Sequence, residues 1–95
     1  MQQEQITTAI ASDQHWLVYI LECSDGTFYT GITNHLERRL RQHNSGHASR
    51  CTRSRLPVIL IYQEQCADRS RALAREFAIK SLTRTGKQKL IATIT

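Results

Sequence analysis

Ninety-five residues make one domain, near the lower end of what can bury a self-sufficient core. Apolar residues are 40% of the chain and charged residues 22%, while one Pro and four Gly exclude a collagen-like, repeat or largely disordered chain. Residues 1–37 hold five acids and no Lys or Arg; the rest holds all 13 Lys and Arg and three acids, parts of −5 and +10 that point to one surface for a polyanion, with a solvated basic face as the plainer alternative.

Residues 1–14 show no firm apolar period and read as an N-terminal tail, leaving 15–95 as the domain. Trp16 to Leu21 is aromatic, β-branched and apolar, the pattern of a well-buried strand. Ser24, Asp25, Gly26 and Thr27 form a turn signal, with Gly26 free to take positive φ, and Phe28 to Ile32 returns as a second strand. Asn34 is a good N-cap for a helix from His35 to Asn44, with Glu37 placed for a capping box. Ser45 and Gly46 end that helix, and the Arg-rich stretch to Arg55 lacks periodicity and reads as a surface loop. Pro57 opens a third strand, Val58 to Tyr62; Asp68 caps a longer helix, Arg69 to Leu82; Gly86 precedes a short helix from Lys87 to Ala92. The economical arrangement is α+β, a small three-stranded, mainly antiparallel sheet flanked by helices.

Cys23, Cys51 and Cys66 are odd in number and far apart, so they do not form the framework of a small secreted protein. They read as small buried apolar groups. With no signal peptide and no apolar run long enough to cross a bilayer, a cytoplasmic protein without a membrane partner is expected. No obligate protein partner is implied. His43, His47 and Cys51 recur every four residues, but Gly46 interrupts a helix that would align them, which weighs against a zinc site.

Three features ask for more than packing. Glu76 falls between Ala72 and Leu73 on a helical wheel, with Ile79 one turn on, and a carboxylate on a mostly apolar face is costly without a partner. Lys80 at i+4 is one partner and a metal ion is the other. Arg39 and His43, one helical turn apart, lie beside the Leu36 and Leu40 stripe and can face a groove over the sheet. Arg39 offers a planar fork of donors suited to phosphate oxygens. Tyr19 and Tyr29 flank the hairpin turn and converge if they share a face, although most buried strand tyrosines are core pieces.

In this order the pieces resemble the GIY-YIG endonuclease domain from about Trp16 to Leu90. Leu17-Val18-Tyr19 stands for the first motif and Tyr29-Thr30-Gly31 for the second, ten residues apart; Arg39, His43 and Glu76 match the helical Arg and His and the metal-binding Glu. Leu17 replaces the motif's Gly and Thr30 its Ile. The phrases Tyr-Thr-Gly-Ile-Thr, Asp-Arg-Ser-x-Ala and Ile-Lys-x-Leu are similar to the small stand-alone YhbQ-like (UPF0213) bacterial branch.

The resemblance implies a metal-dependent endonuclease of low sequence specificity acting on nucleic acid, DNA above all, in repair or recombination. Its catalytic set would be Tyr19, Tyr29, Arg39, His43 and Glu76, with Glu76 holding Mg²⁺ or another divalent ion such as Mn²⁺. The attacking water needs a base: Tyr29 is preferred to Tyr19, and His43 is the alternative as a proton relay. Arg50, Arg53, Arg55 and Lys80 would hold the phosphate backbone. Gly31 admits two readings, backbone approach to substrate or a tight contact between strands. A nucleic-acid-binding module without useful turnover is the alternative function.

Overall fold

In the strand Trp16–Glu22 (β1), Val18, Tyr19, Ile20 and Leu21 are all essentially inaccessible to water. Successive strand side chains point to opposite faces, so such a strand must be central and covered on both sides. The computed structural model describes residues 15–93 and places β1 between Phe28–Thr33 (β2) and Ile59–Cys66 (β3), both antiparallel to it. The tail expected over residues 1–14 lies outside the described residues. Helices α1 (Leu36–Asn44), α2 (Arg50–Arg53), α3 (Arg69–Lys80) and α4 (Arg84–Ala92) complete the α+β fold.

Each sheet face buries its own cluster. Val18, Ile20 and Tyr62 pack against Ala72 and Ile79 of α3, with Leu90 and Ile91 of α4 at the side. Tyr19, Leu21, Cys23 and Val58 pack on the other face under Leu36 and Leu40 of α1. The hairpin turns on Gly26, at φ 85°, where a side chain would be strained. Arg55 ties this turn to the loop before β3: its carbonyl accepts from Ser24 N at 2.9 Å and its Nε donates to Asp25 Oδ2 at 2.9 Å.

Boundaries differ from the sequence expectation where side chains or partners decide them. His35, not Asn34, caps α1, its Nδ1 accepting from Arg38 N at 3.4 Å, so Glu37 falls one position early for a capping box. The Arg-rich stretch contains α2, because Ser49 Oγ accepts from Cys51 N at 3.0 Å. Strand β3 runs on to Cys66, since β1 offers ladder partners as far as Trp16. Helix α3 stops at Lys80, and α4 starts at Arg84 because Thr83 Oγ1 accepts from Gly86 N at 3.1 Å. Gly86 therefore sits inside the first turn rather than before it. Asp68 does cap α3, accepting from Arg71 N at 2.8 Å. Of the three thiols Cys23 is buried and Cys51 is exposed, because the first half-turn of α2 faces water.

Candidate active site

Ladder register places Tyr19 opposite Gly31, and Leu21 opposite Tyr29, so both tyrosines stand on the α1 face of the sheet. The Tyr19 ring reaches across Gly31 toward the free edge of β2. A Cβ built on Gly31 would lie 2.7 Å from Tyr19 Oη, 2.8 Å from its Cζ and 3.1 Å from Tyr29 Cε2. Of the two readings left open for this glycine, the close contact between strands accounts for it: its missing side chain is the space the phenol occupies. The two tyrosine rings are 6.5 Å apart between centroids.

His43 descends from α1 between them, fully buried, and meets Tyr29 edge-on at 5.1 Å and Tyr19 at 5.9 Å. Its Nε2 is 2.9 Å from Tyr19 Oη and its Nδ1 2.9 Å from Thr52 Oγ1. Thr52 also has the Ser49 carbonyl as an acceptor, at 3.4 Å. The network thus runs one way, assigned from partners rather than from seen hydrogens: Tyr19 donates to Nε2, Nδ1–H donates to Thr52, and Thr52 donates to Ser49 O.

Burial, then the nearby Arg39 charge, pushes the His43 imidazole down to about 4. Burial also pushes the Tyr19 phenol up to about 12; Arg39 opposes this, while Tyr29 and Glu76 reinforce it. Both groups are neutral near pH 7. Moving the phenol proton onto this imidazole runs against both shifts. The arrangement holds Tyr19 in place and is poorly suited to relaying a proton through His43. A buried, neutral phenol is equally poor as a base, whereas Tyr29 is half-exposed.

Arg39 lies one turn before His43 and acts on the Tyr19 phenol as a hydrogen-bond donor and a positive charge. Its Nη1 donates to Gln42 Oε1 at 3.1 Å, and its buried Nε has no acceptor among the described residues. An unmet buried donor costs about 1–3 kcal/mol, so the guanidinium is held at the site with bonding capacity to spare.

Glu76 arrives from the other face. Helix α3 packs across β1 and β2, and its β3-facing flank carries Arg75, whose Nε donates to Glu64 Oε2 at 2.6 Å. At about 100° per residue, Glu76 and Lys80 fall on the opposite flank, toward the edge of β2. There the Glu76 carboxylate, 19% exposed, is near enough to raise the Tyr19 phenol electrostatically. The partner expected on local grounds is present, Lys80 Nζ to Glu76 Oε2 at 3.3 Å. Such an i,i+4 pair contributes about 0.3–0.5 kcal/mol, little enough for a metal ion or phosphate to displace it.

The remaining predicted residues lie apart from this cluster or at its margin. Arg50 and Arg53 line a shallow cavity of about 320 Å³ with Gly46, His47, Ala48 and Ser49. Arg55 is committed to Asp25 and, through Nη1, to the Cys51 carbonyl at 2.7 Å, which leaves it less to offer a phosphate. Two residues that sequence reasoning missed support the site: Thr52, which orients His43, and Gln42, which holds Arg39. Gln42 at i+3 from Arg39 was a findable signal; Thr52 had none, since its partner lies across a helix and a loop.

Comparison with known proteins bears on the same residues. The sequence profile of the GIY-YIG catalytic domain matches residues 15–90. A UPF0213 protein of Desulfotalea psychrophila is 54% identical over 77 residues, covering 80% of this chain and 70% of that protein. A UPF0213 protein of Haloquadratum walsbyi is 52% identical over 79 residues, covering 83% and 88%. Among solved structures, the solution structure of a protein from E. faecalis aligns with TM-score 0.59 at 43% identity, covering 84% of this chain and 85% of that one. That of a UPF0213 protein from Bacillus halodurans aligns with TM-score 0.55 at 37% identity, covering 83% and 84%.

Proposed function

Since this chain belongs to the GIY-YIG family of nuclease domains, we propose that it is a metal-dependent endonuclease that hydrolyses phosphodiester bonds in DNA with little sequence preference. The observation that carries this reading is the cluster of Tyr19, Tyr29 and His43 on one face of the sheet with Arg39 one helical turn from His43, and the half-buried Glu76 on the flank of α3 away from Arg75. A binding module needs no half-buried carboxylate near a buried phenol.

The donor set fits a hard divalent ion. One carboxylate is available, and Mg²⁺ or Mn²⁺ bound to phosphate can keep most of its waters and take one or two protein carboxylates. The donors do not suit zinc, because both His43 nitrogens are engaged by Tyr19 and Thr52. Glu76 would hold the ion, whose chemistry is to neutralise the scissile phosphate and favour departure of the 3′ oxygen.

The chain's own groups supply the rest. Arg39 places a fixed positive charge against the non-bridging oxygens, where charge grows as water attacks; losing one such donor typically costs about 3–4 kcal/mol of barrier. Tyr29 would act as the base in its phenolate form, favoured by the Arg39 charge and the bound cation, taking the water's proton to become the neutral phenol. Tyr19 and His43 act as positioning residues, fixing Arg39 and the Tyr29 ring from behind. Arg50, Arg53 and Lys80 hold the backbone on either side, in a setting such as DNA repair or recombination.

The test is cleavage of plasmid and branched DNA with Mg²⁺ or chelator, wild type against Glu76→Ala. Cutting by wild type in Mg²⁺ is expected, with none by the variant, which keeps its circular dichroism and its affinity for DNA. Undiminished metal-dependent cutting by Glu76→Ala sinks the assignment.

A further inference from the structure

Phe77 is 75% exposed and Leu73, one turn earlier, 39%, an apolar strip that the fold leaves in water. Relative to the buried Ala72 and Ile79, rotation of about 100° per residue puts Leu73 just beyond Lys80 on the flank that carries Glu76, with Phe77 higher on the same side. The strip therefore rises from the carboxylate outward. The segment that carries it is basic: Lys80, paired with Glu76, is still 55% exposed, Arg84 at the head of α4 lies over the Phe28 ring at 4.2 Å, and from Arg69 to the end of the given sequence Glu76 is the only acid.

We propose that Phe77, seated on Leu73, stacks on an unpaired base next to the phosphate held at Glu76, so that the preferred substrate is DNA with a single-stranded flap, gap or bulge at the cut. The proposal rests on the nuclease reading and narrows it. An exposed aromatic among cations is the construction that binds single strands, because every base has a π-face while the cations hold the backbone. A paired base already has both faces stacked within the duplex and cannot offer one. Charge complementarity favours a polyanion over a second protein as the occupant of this strip.

Binding is measured in chelator, which separates it from cutting, using a fully paired duplex and a matched duplex with 2-aminopurine in a short single-stranded flap. Wild type is expected to bind the flap about tenfold more tightly than the duplex and to quench its fluorescence. Phe77→Ala is expected to lose the quenching and most of that preference, with duplex affinity changed less than about twofold, and Phe77→Trp to retain both. Equal wild-type affinity for the two substrates, or a preference that survives Phe77→Ala, overturns the proposal. So does a Phe77-dependent change in sedimentation without any effect on DNA binding, which assigns the strip to contact between copies. If the Phe77-dependent preference appears but Mg²⁺ elicits no cutting, the hydrolytic reading alone has failed; Glu76-dependent cutting with no Phe77 effect means that this proposal alone has.

Discussion

Gly31 and His43 are both tightly constrained. Adding a methyl group at Gly31 cannot be absorbed by the Tyr19 ring, which is fully buried and tied through its hydroxyl to His43. Gly31→Ala is expected to destabilise the fold by about 1–3 kcal/mol, read from the denaturant midpoint, and to lower cleavage further by displacing the phenol. His43 titrates near 6.5 when unfolded and at about 4 in the native state. Between those values the unfolded chain binds the extra proton, so its stabilising contribution is complete above pH 6.5 and is lost as pH falls toward 4. The wild type is expected to lose about 2–3 kcal/mol more than His43→Gln across that window, measured as unfolding midpoints at stepped pH; parallel curves would show that the imidazole is not buried neutral.

Among the elements, α2 and the loop after it show how local chemistry redistributes roles. Arg55 bridges the hairpin turn and the end of α2, whereas Arg50 and Arg53 line an open cavity. Arg55→Ala should therefore weaken DNA binding less than Arg50→Ala or Arg53→Ala does, and should lower the thermal midpoint more. Equal losses of affinity from all three would restore Arg55 to the binding surface. Helix α3 depends on Asp68 at its start, and Asp68→Ala is expected to cost about 1 kcal/mol of stability through the unmet Arg71 N–H. That change leaves the Glu76 flank untouched, so activity at low temperature should persist.

At the scale of the whole molecule, the acids concentrate before Arg38 and the cations after it. Among the described residues, Glu22 and Asp25 of the acidic part lie in the hairpin and Glu37 in α1, while the basic part spreads its cations mainly over α1, α2, α3 and α4. Affinity for duplex DNA should fall linearly with salt on a double-logarithmic plot, and removing Arg50 and Arg53 together should reduce the slope by about two. Among the described residues, no helix is long and apolar enough to cross a membrane.

The sequence by itself determined the three-stranded antiparallel sheet and the order of its strands and the three longer helices, though not α2, because apolar runs, a glycine turn and an aspartate cap are local signals that packing did not overrule. It also singled out Tyr19, Tyr29, Arg39, His43 and Glu76, through their order along the chain rather than through any one motif. Tertiary structure alone decided what these groups are to one another. Which phenol is buried depends on strand order, and His43 is oriented by Thr52 of α2, a short helix with no periodic signal, while burial and Arg39 keep the imidazole neutral. That Glu76 faces the β2 edge follows from Arg75 being held by Glu64 on β3, a contact across eleven residues that no local pattern encodes. Proton affinity and reach depend on burial and on distances through space, and these exist only once the chain has folded.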